Sequence, residues 1–530
     1  MDSLVRLAPT RVAWHVPLPK ELDDVSEASK HATEHEVRIQ FPERARVDRT
    51  NSFWIHLRPW FPVQKWLSQY TMDNFAADIT AGLTVGAVIV PQAMAYAELA
   101  ELPAIYGLYS ALIPLPMYAM MGTSPHLAIG PFALVSLLIP ESLEAAGFSS
   151  DDPEYISLVL TLTFLVGLVH LAMGVLRMGA LIVRLISDTV LTGFTCAAAF
   201  LISASQLRHL LAIHVPRERF FKTLLHVAQN ARQVNYLAVG VGLGSLVALA
   251  GLQRLKQRCC ARICFPEQLL LLVAATSLSW LLGLEPREDD SEQWLALPVV
   301  GKVPSGLPKP AIPIFEARTL VALIQPALIV GFFSFILTIA MVRVYALQFG
   351  YATDANQELF ALGFANLTGA FFSAYPTSGS LSRTALVAAA GGARVTPCHG
   401  VTTSLLVLLI LFVFTPAFQP MPNAVLAAIV LSAVRPLVDF HKALDLYRVS
   451  GLEAAVWACS FSGCLIFGAP IGICLGVLAS MLLIILRSAM PNYAVLGQLP
   501  RTTLFRDVLR YPQVNQLTPT ERPHKCHDLF

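Results

Sequence analysis

From residue 79 to residue 487 the chain runs as fourteen apolar stretches joined by short polar connections. They fall near residues 79–98, 104–121, 131–139, 154–174, 186–212, 235–253, 266–284, 321–347, 357–373, 380–391, 400–416, 420–434, 450–468 and 470–487. A helix needs about 20 apolar residues to cross a bilayer, and no soluble core accepts so many such runs in series. Composition closes off the alternative. Of 530 residues, 55% are hydrophobic and 14% are charged, which leaves too little polar surface to clothe a soluble particle. An ordinary cytosolic enzyme, a disordered chain and a secreted disulfide scaffold are excluded. The expected fold is an all-α polytopic membrane protein with 14 transmembrane segments.

Two runs, 131–139 and 380–391, are too short to cross as full helices. They are the third and tenth of the fourteen, which are equivalent positions in a seven-plus-seven arrangement. Gly130 and Pro131 introduce the first, and Pro376 and Gly379 the second. Short, Gly/Pro-interrupted segments at matching positions mark an inverted-repeat transporter with its site near the bilayer midplane. An odd number of spans per half inverts the second half, so the two half-helices meet N-terminus to N-terminus. Each end offers unpaired backbone N–H groups and a positive dipole end. Facing each other, they favour an anion.

Loop charges predict the orientation. Arg177 and Arg184, the cluster from Arg254 to Arg262, and Arg435, Lys442 and Arg448 all fall on one side under this count. That side is expected to be cytoplasmic, with both termini on it. Arg208, Arg217, Arg219 and Lys222 fall on the other side and run against the rule. Three regions follow: a polar N-terminal region, 1–74; a transmembrane transport domain, 75–488; and a polar tail, 489–530. The stretch from Met1 to Thr10 lacks a signal-peptide core, so the first apolar run is expected to direct membrane insertion. Trp54, Trp60, Phe61 and Trp66 precede that run and suit either the membrane interface or packing against the protein itself.

Nine cysteines show no paired spacing. Cys196, Cys459, Cys464 and Cys474 lie in apolar runs and are expected as small core residues. Cys259, Cys260 and Cys264 have no second ligand pair at a zinc-site distance and are expected as reduced thiols. No nucleotide-binding loop, metal cluster or nucleophile motif stands out, so no catalytic residue, metal or cofactor is expected. The net charge of +2 gives no reason to expect nucleic acid.

Several segments then resemble a known family in order. Pro103-Ala104-Ile105-Tyr106-Gly107-Leu108-Tyr109-Ser110, followed by Gly122-Thr123-Ser124, resembles the sulfate-transporter signature of the SulP sulfate permeases and anion exchangers. Pro91-Gln92-Ala93-Met94-Ala95-Tyr96-Ala97 is similar to that family's first helix, and Ile129-Gly130-Pro131-Phe132-Ala133-Leu134-Val135-Ser136 to its third. Asn356-Gln357-Glu358-Leu359 and Ser378-Gly379-Ser380-Leu381-Ser382-Arg383-Thr384-Ala385 resemble its ninth and tenth. The likeness covers roughly residues 53–510. It implies a seven-plus-seven inverted fold with core and gate parts, an anion site between helices three and ten, and usually a homodimer.

The resemblance also implies the site residues. Gln92 and Tyr96 share a face of the first helix at i and i+4. Phe132 and Ala133 open helix three; Ser380, Leu381, Ser382 and Arg383 open helix ten. Hydroxyls and backbone N–H groups can replace water around an oxyanion, and Arg383 adds a fixed positive charge. An arginine at the bilayer centre costs about 2.5–3.5 kcal/mol, so it needs a partner.

The expected function is secondary active or facilitative transport of sulfate or a related small anion (chloride, bicarbonate, oxalate) by alternating access, in the plasma membrane. Proton-coupled relatives tend to carry a glutamate in helix eight. Here Gly331-Phe332-Phe333-Ser334 stands there, with no acid between Ala322 and Leu347, which favours exchange over proton symport. The alternatives are an anion-sensing or voltage-driven motor-like protein that does not transport, and a proton-coupled sulfate symporter. A nucleobase carrier ranks lower, because that related fold usually places acids in helices eight and ten. Glu98 and Glu101 are expected at a solvated interface, and His170 as a buried, hydrogen-bonded histidine. Pro125 stands where the signature normally has a basic residue. The family's cytoplasmic STAS domain is matched only to about Gln513, so a truncated STAS domain and a weakened homodimer are expected.

Overall fold

The computed structural model describes residues 61–185, 187–213, 220–259, 267–282, 297–301, 304, 306–308, 310–489, 496–498 and 505–507. A short helix, α1 (Val63–Leu67), precedes the first span, α2 (Met72–Leu99). There follow α3 (Ala104–Ser110), α4 (Pro114–Met121), β1 (Ile129–Gly130), α5 (Ala133–Ala145), α6 (Tyr155–Val175), α7 (Met178–Leu185), α8 (Asp188–Leu211), α9 (Phe220–Gln229), α10 (Tyr236–Cys259) and α11 (Glu267–Leu282). The second half contains α12 (Ala317–Phe349), α13 (Ala355–Phe371), β2 (Ser378–Gly379), α14 (Leu381–Gly391), α15 (Cys398–Val413), α16 (Asn423–Val434), α17 (Phe440–Val449), α18 (Gly451–Phe467) and α19 (Ala469–Ala489). Leu496–Gln498 and Phe505–Asp507 form an antiparallel hairpin, β3 and β4. The rest of the expected tail, and Trp54 and Trp60, lie outside the described residues.

Each of the fourteen apolar runs meets helix, and eight of the described helical stretches, with Ala104–Met121 and Asn423–Val449 each taken as one, are long and apolar enough to cross a membrane. The run 104–121 is two helices rather than one. Pro114, which has no N–H to give to a preceding turn, starts the second of them. Helices α1, α7, α9 and α17 lie between or before the apolar runs and were not expected from hydropathy. Their lengths, from 5 to 10 residues, are too short to span.

The helices pack in two groups. In the first, α2 packs against α3, α14 and α15, α13 against α4 and α6, and α12 against α5 and α6. In the second, α8 packs against α16, α18 and α19, and α10 and α11 pack against each other and against α16. The groups correspond to segments 1–4 with 8–11, and 5–7 with 12–14. They meet where α2 crosses α11 and α16. Small residues permit the close crossings: a Cβ on Gly167 of α6 would lie 2.7 Å from the Leu367 nitrogen of α13.

Details revise several expectations. Phe61 packs against the cluster containing Leu115 and Tyr118, so this member of the aromatic segment packs on the protein itself. Cys196 and Cys464 are buried, but Cys459 is half-buried and Cys474 is exposed on a helix flank, where the surrounding bilayer makes exposure cheap for a thiol. Arg208 is not a free loop charge. Its Nη1 lies 3.2 Å from Glu101 Oε1, which joins the end of α8 to the turn after α2. Glu101 is therefore ion-paired rather than merely solvated. Arg217 and Arg219 lie outside the described residues.

Candidate functional site

The two half-helices are brought together by a two-stranded sheet with two residues in each strand. Ile129 pairs with Gly379 and Gly130 with Ser378, antiparallel. Each strand leads directly into a half-helix, β1 into α5 and β2 into α14. Because the strands run in opposite directions, so do the helices, and their N-termini converge. Irregular backbone at this depth survives only if its polar groups are satisfied. Side chains do this work. Thr338 Oγ1 accepts from the Gly379 amide at 2.8 Å, Thr384 Oγ1 from Ala128 at 3.2 Å, Asn366 Oδ1 from Thr377 at 2.8 Å and Ser110 Oγ from Tyr375 at 2.8 Å.

The ends themselves are left uncapped. Thr71, Ser187, Asp354, Asp439 and Ser450 cap α2, α8, α13, α17 and α18 through their side chains. Phe132 and Ser380, the N-cap residues of α5 and α14, make no side-chain cap bond. Phe132 has no oxygen to offer. The Ser380 hydroxyl lies 3.3 Å from that of Ser382 instead. First-turn N–H groups at both ends thus stay available to a ligand.

Arg383 supplies the charge. It is fully buried, at 0% exposure. Its Nη1 donates to Gln92 Oε1 at 3.5 Å, while Nε and Nη2 meet no acceptor among the described residues. No carboxylate pairs with it among those residues either. The guanidinium passes over Gly130, where a Cβ would stand 3.4 Å from Nη2, and lies in electrostatic reach of Tyr96 and Tyr375. A buried guanidinium with two open donors is stable only beside an acceptor or anion.

The sequence-derived residues occupy one region. Gln92 and Tyr96 are buried one turn apart on α2. Phe132 and Ala133 are buried at the start of α5; Ser380 is buried, and Leu381 and Ser382 half-buried, at the start of α14. The direct contacts among them are Gln92 with Arg383 and Ser380 with Ser382. Sequence reasoning missed Ser378, whose buried Oγ has no partner among the described residues, and Gln268, which bonds Gln92. Ser378 lay inside the quoted motif. Gln268 follows Glu267 at the start of its run, where a polar residue looks like an ordinary helix end, so little in the sequence signals it. His170 is buried with Nε2 2.7 Å from the Gly331 oxygen and 3.1 Å from Ser334 Oγ, a link between α6 and α12.

Fourteen helical segments with two opposed half-helices and a buried positive centre define a multi-pass membrane protein of the inverted-repeat transporter fold. Residues 75–460 match the Sulfate permease family, and the chain belongs to it, a family of permeases and not of enzymes. It is 38% identical over 459 residues to the chloroplastic sulfate transporter 4.1 of Arabidopsis thaliana, covering 86% of this chain and 64% of that protein. It is 33% identical to prestin of Danio rerio, over 86% of this chain and 63% of that one. The chain thus spans just under two thirds of the length of these relatives. The structure is similar to that of the murine solute carrier 26 family member A9 anion transporter in its inward-facing state. The TM-score is 0.77 at 26% identity, over 89% of this chain and 79% of that one.

Proposed function

We propose that the chain carries a small inorganic anion across a membrane, with sulfate first and chloride, bicarbonate and oxalate behind it. One observation carries the reading: a fully buried arginine with two open donors sits where two uncapped half-helices converge. The anion is held by Ser380, Ser382, Arg383, Gln92 and the first-turn amides of α5 and α14, with Tyr96, Phe132, Ala133 and Leu381 shaping the pocket. Transport proceeds by alternating access, the first helix group moving against the second, with residues 75–488 as the transport unit. The Glu101–Arg208 pair, which joins the two groups at the end opposite Arg177 and Arg448, holds the outer side shut. Exchange is favoured over proton symport because α12 carries Ser334, engaged with His170, where an acid would be needed. The basic loops support cytoplasmic termini, and the plasma membrane is the proposed location, with a homodimer as the assembly.

Uptake of labelled sulfate into vesicles containing the purified protein tests this. Saturable uptake is expected, competed by unlabelled sulfate and by at least one of chloride, bicarbonate or oxalate. Competition by uracil alone would point to a nucleobase carrier. Sulfate binding without uptake would point to a sensor.

A further inference from the structure

Gln268 belongs to the second helix group, on α11, yet its side chain reaches the site carried by the first. It is 7% exposed, and its Oε1 accepts from Gln92 Nε2 at 3.1 Å. Gln92 Oε1 accepts in turn from Arg383 Nη1 at 3.5 Å. The direction of this chain is set by donor chemistry. A guanidinium has donors only, so Gln92 must turn its carbonyl toward Arg383. Its NH2 is then left for α11, and Gln268 must answer with a carbonyl.

An oxyanion at Arg383 reverses the requirement. It accepts only, so it repels the Gln92 carbonyl and attracts the NH2. Turning the Gln92 amide by half a turn about its last torsion serves the anion, but sets Gln92 Oε1 against Gln268 Oε1. Turning the Gln268 amide as well restores the bond in the opposite sense, with Nε2 of Gln268 now donating. Resting on the anion-site reading above, we propose that Gln268 is a positioning residue. It fixes the orientation of the Gln92 amide and thereby links anion occupancy at Arg383 to the contact between the two helix groups.

The test is equilibrium binding of labelled sulfate to the purified full chain, in wild-type and Gln92→Leu backgrounds. Gln268→Leu is expected to weaken sulfate binding about fivefold in the wild-type background and less than about twofold once Gln92 is gone, as for residues acting through one contact. Gln268→Glu retains the acceptor of the empty state but cannot donate after reversal. It is expected to weaken binding at least as much as Leu. Thr276→Ala, on the same helix with its hydroxyl bonded to its own Leu272 oxygen at 2.7 Å, is expected to bind as wild type does. A plain interhelical bond would lower stability in a Gln92-dependent way but leave the sulfate affinity of the folded protein unchanged. Sulfate affinity unchanged by Gln268→Leu, or equal losses in both backgrounds, overturns the proposal. If the Leu variant does not fold, Gln268→Glu in the two backgrounds decides by the same criterion. If Arg383→Gln binds sulfate as wild type does, the anion-site reading has failed and the proposal falls with it. If that variant loses binding while the Gln268 variants do not, only the role of Gln268 is wrong.

Discussion

Glu358 shows how much of this molecule's polarity is structural. It is a fully buried carboxylate on α13, taking bonds from Tyr118 Oη and the Thr123 amide, each at 2.8 Å, and from the Thr123 hydroxyl. These bonds tie the connection after α4, which leads into β1, to α13. A carboxylate can accept all of them; the amide of glutamine brings a donor where only acceptors are wanted. Glu358→Gln should therefore cost about 1–3 kcal/mol, the penalty of a mismatched buried polar group. It should be read as earlier thermal unfolding in detergent, with sulfate affinity of the folded fraction retained. An unaltered melting curve would mean that Glu358 does not hold the loop. Arg383 has the opposite character: equally buried, but with donors unused. Both residues stood in recognisable motifs; the resemblance implied Arg383 as a site residue and gave Glu358 no role, so its part as a lock was not legible. That difference lies in how many partners each finds after folding.

At the scale of elements, the site depends on the β1–β2 pair. Gly130 adopts φ 139, and a Cβ there would meet Ile89 Cδ1 at 3.0 Å as well as Arg383. Only glycine takes this conformation without strain, and a side chain there would crowd Ile89. Gly130→Ala is expected to cost about 1–3 kcal/mol in backbone strain and to weaken sulfate binding by shifting β1 and the half-helix it leads into. Normal melting together with normal affinity would show that the strand tolerates a side chain. The half-helices themselves were legible in the sequence, because short runs flanked by Gly and Pro have few other meanings in a bilayer. The strands between them were not. Two residues on each side carry no periodicity, and the hydroxyls that satisfy the backbone in and beside them, Thr338 for Gly379 and Thr384 for Ala128, stand 41 and 256 positions away in the chain. Helices α9 and α17 were missed for a related reason: short amphipathic segments at a membrane surface give no spanning signal.

For the whole molecule, the two helix groups divide the labour. The first carries the half-helices and Arg383; the second faces them through Gln268 on α11 and through α16. The fourteen-segment order and the inverted halves were readable from run lengths alone. The cross-group contacts were not, because Gln92–Gln268 and Glu101–Arg208 join residues 176 and 107 positions apart. Everything in this division rests on an anion being held at the convergence of α5 and α14. Equilibrium binding of labelled sulfate to the purified protein tests that directly. Wild type should bind saturably. Arg383→Gln, which keeps hydrogen-bond donors but removes the charge, should lose most of the binding. Arg383→Lys should fall between them, since a point charge replaces a planar fork. Equal sulfate affinity in all three, with each folded, would contradict the account.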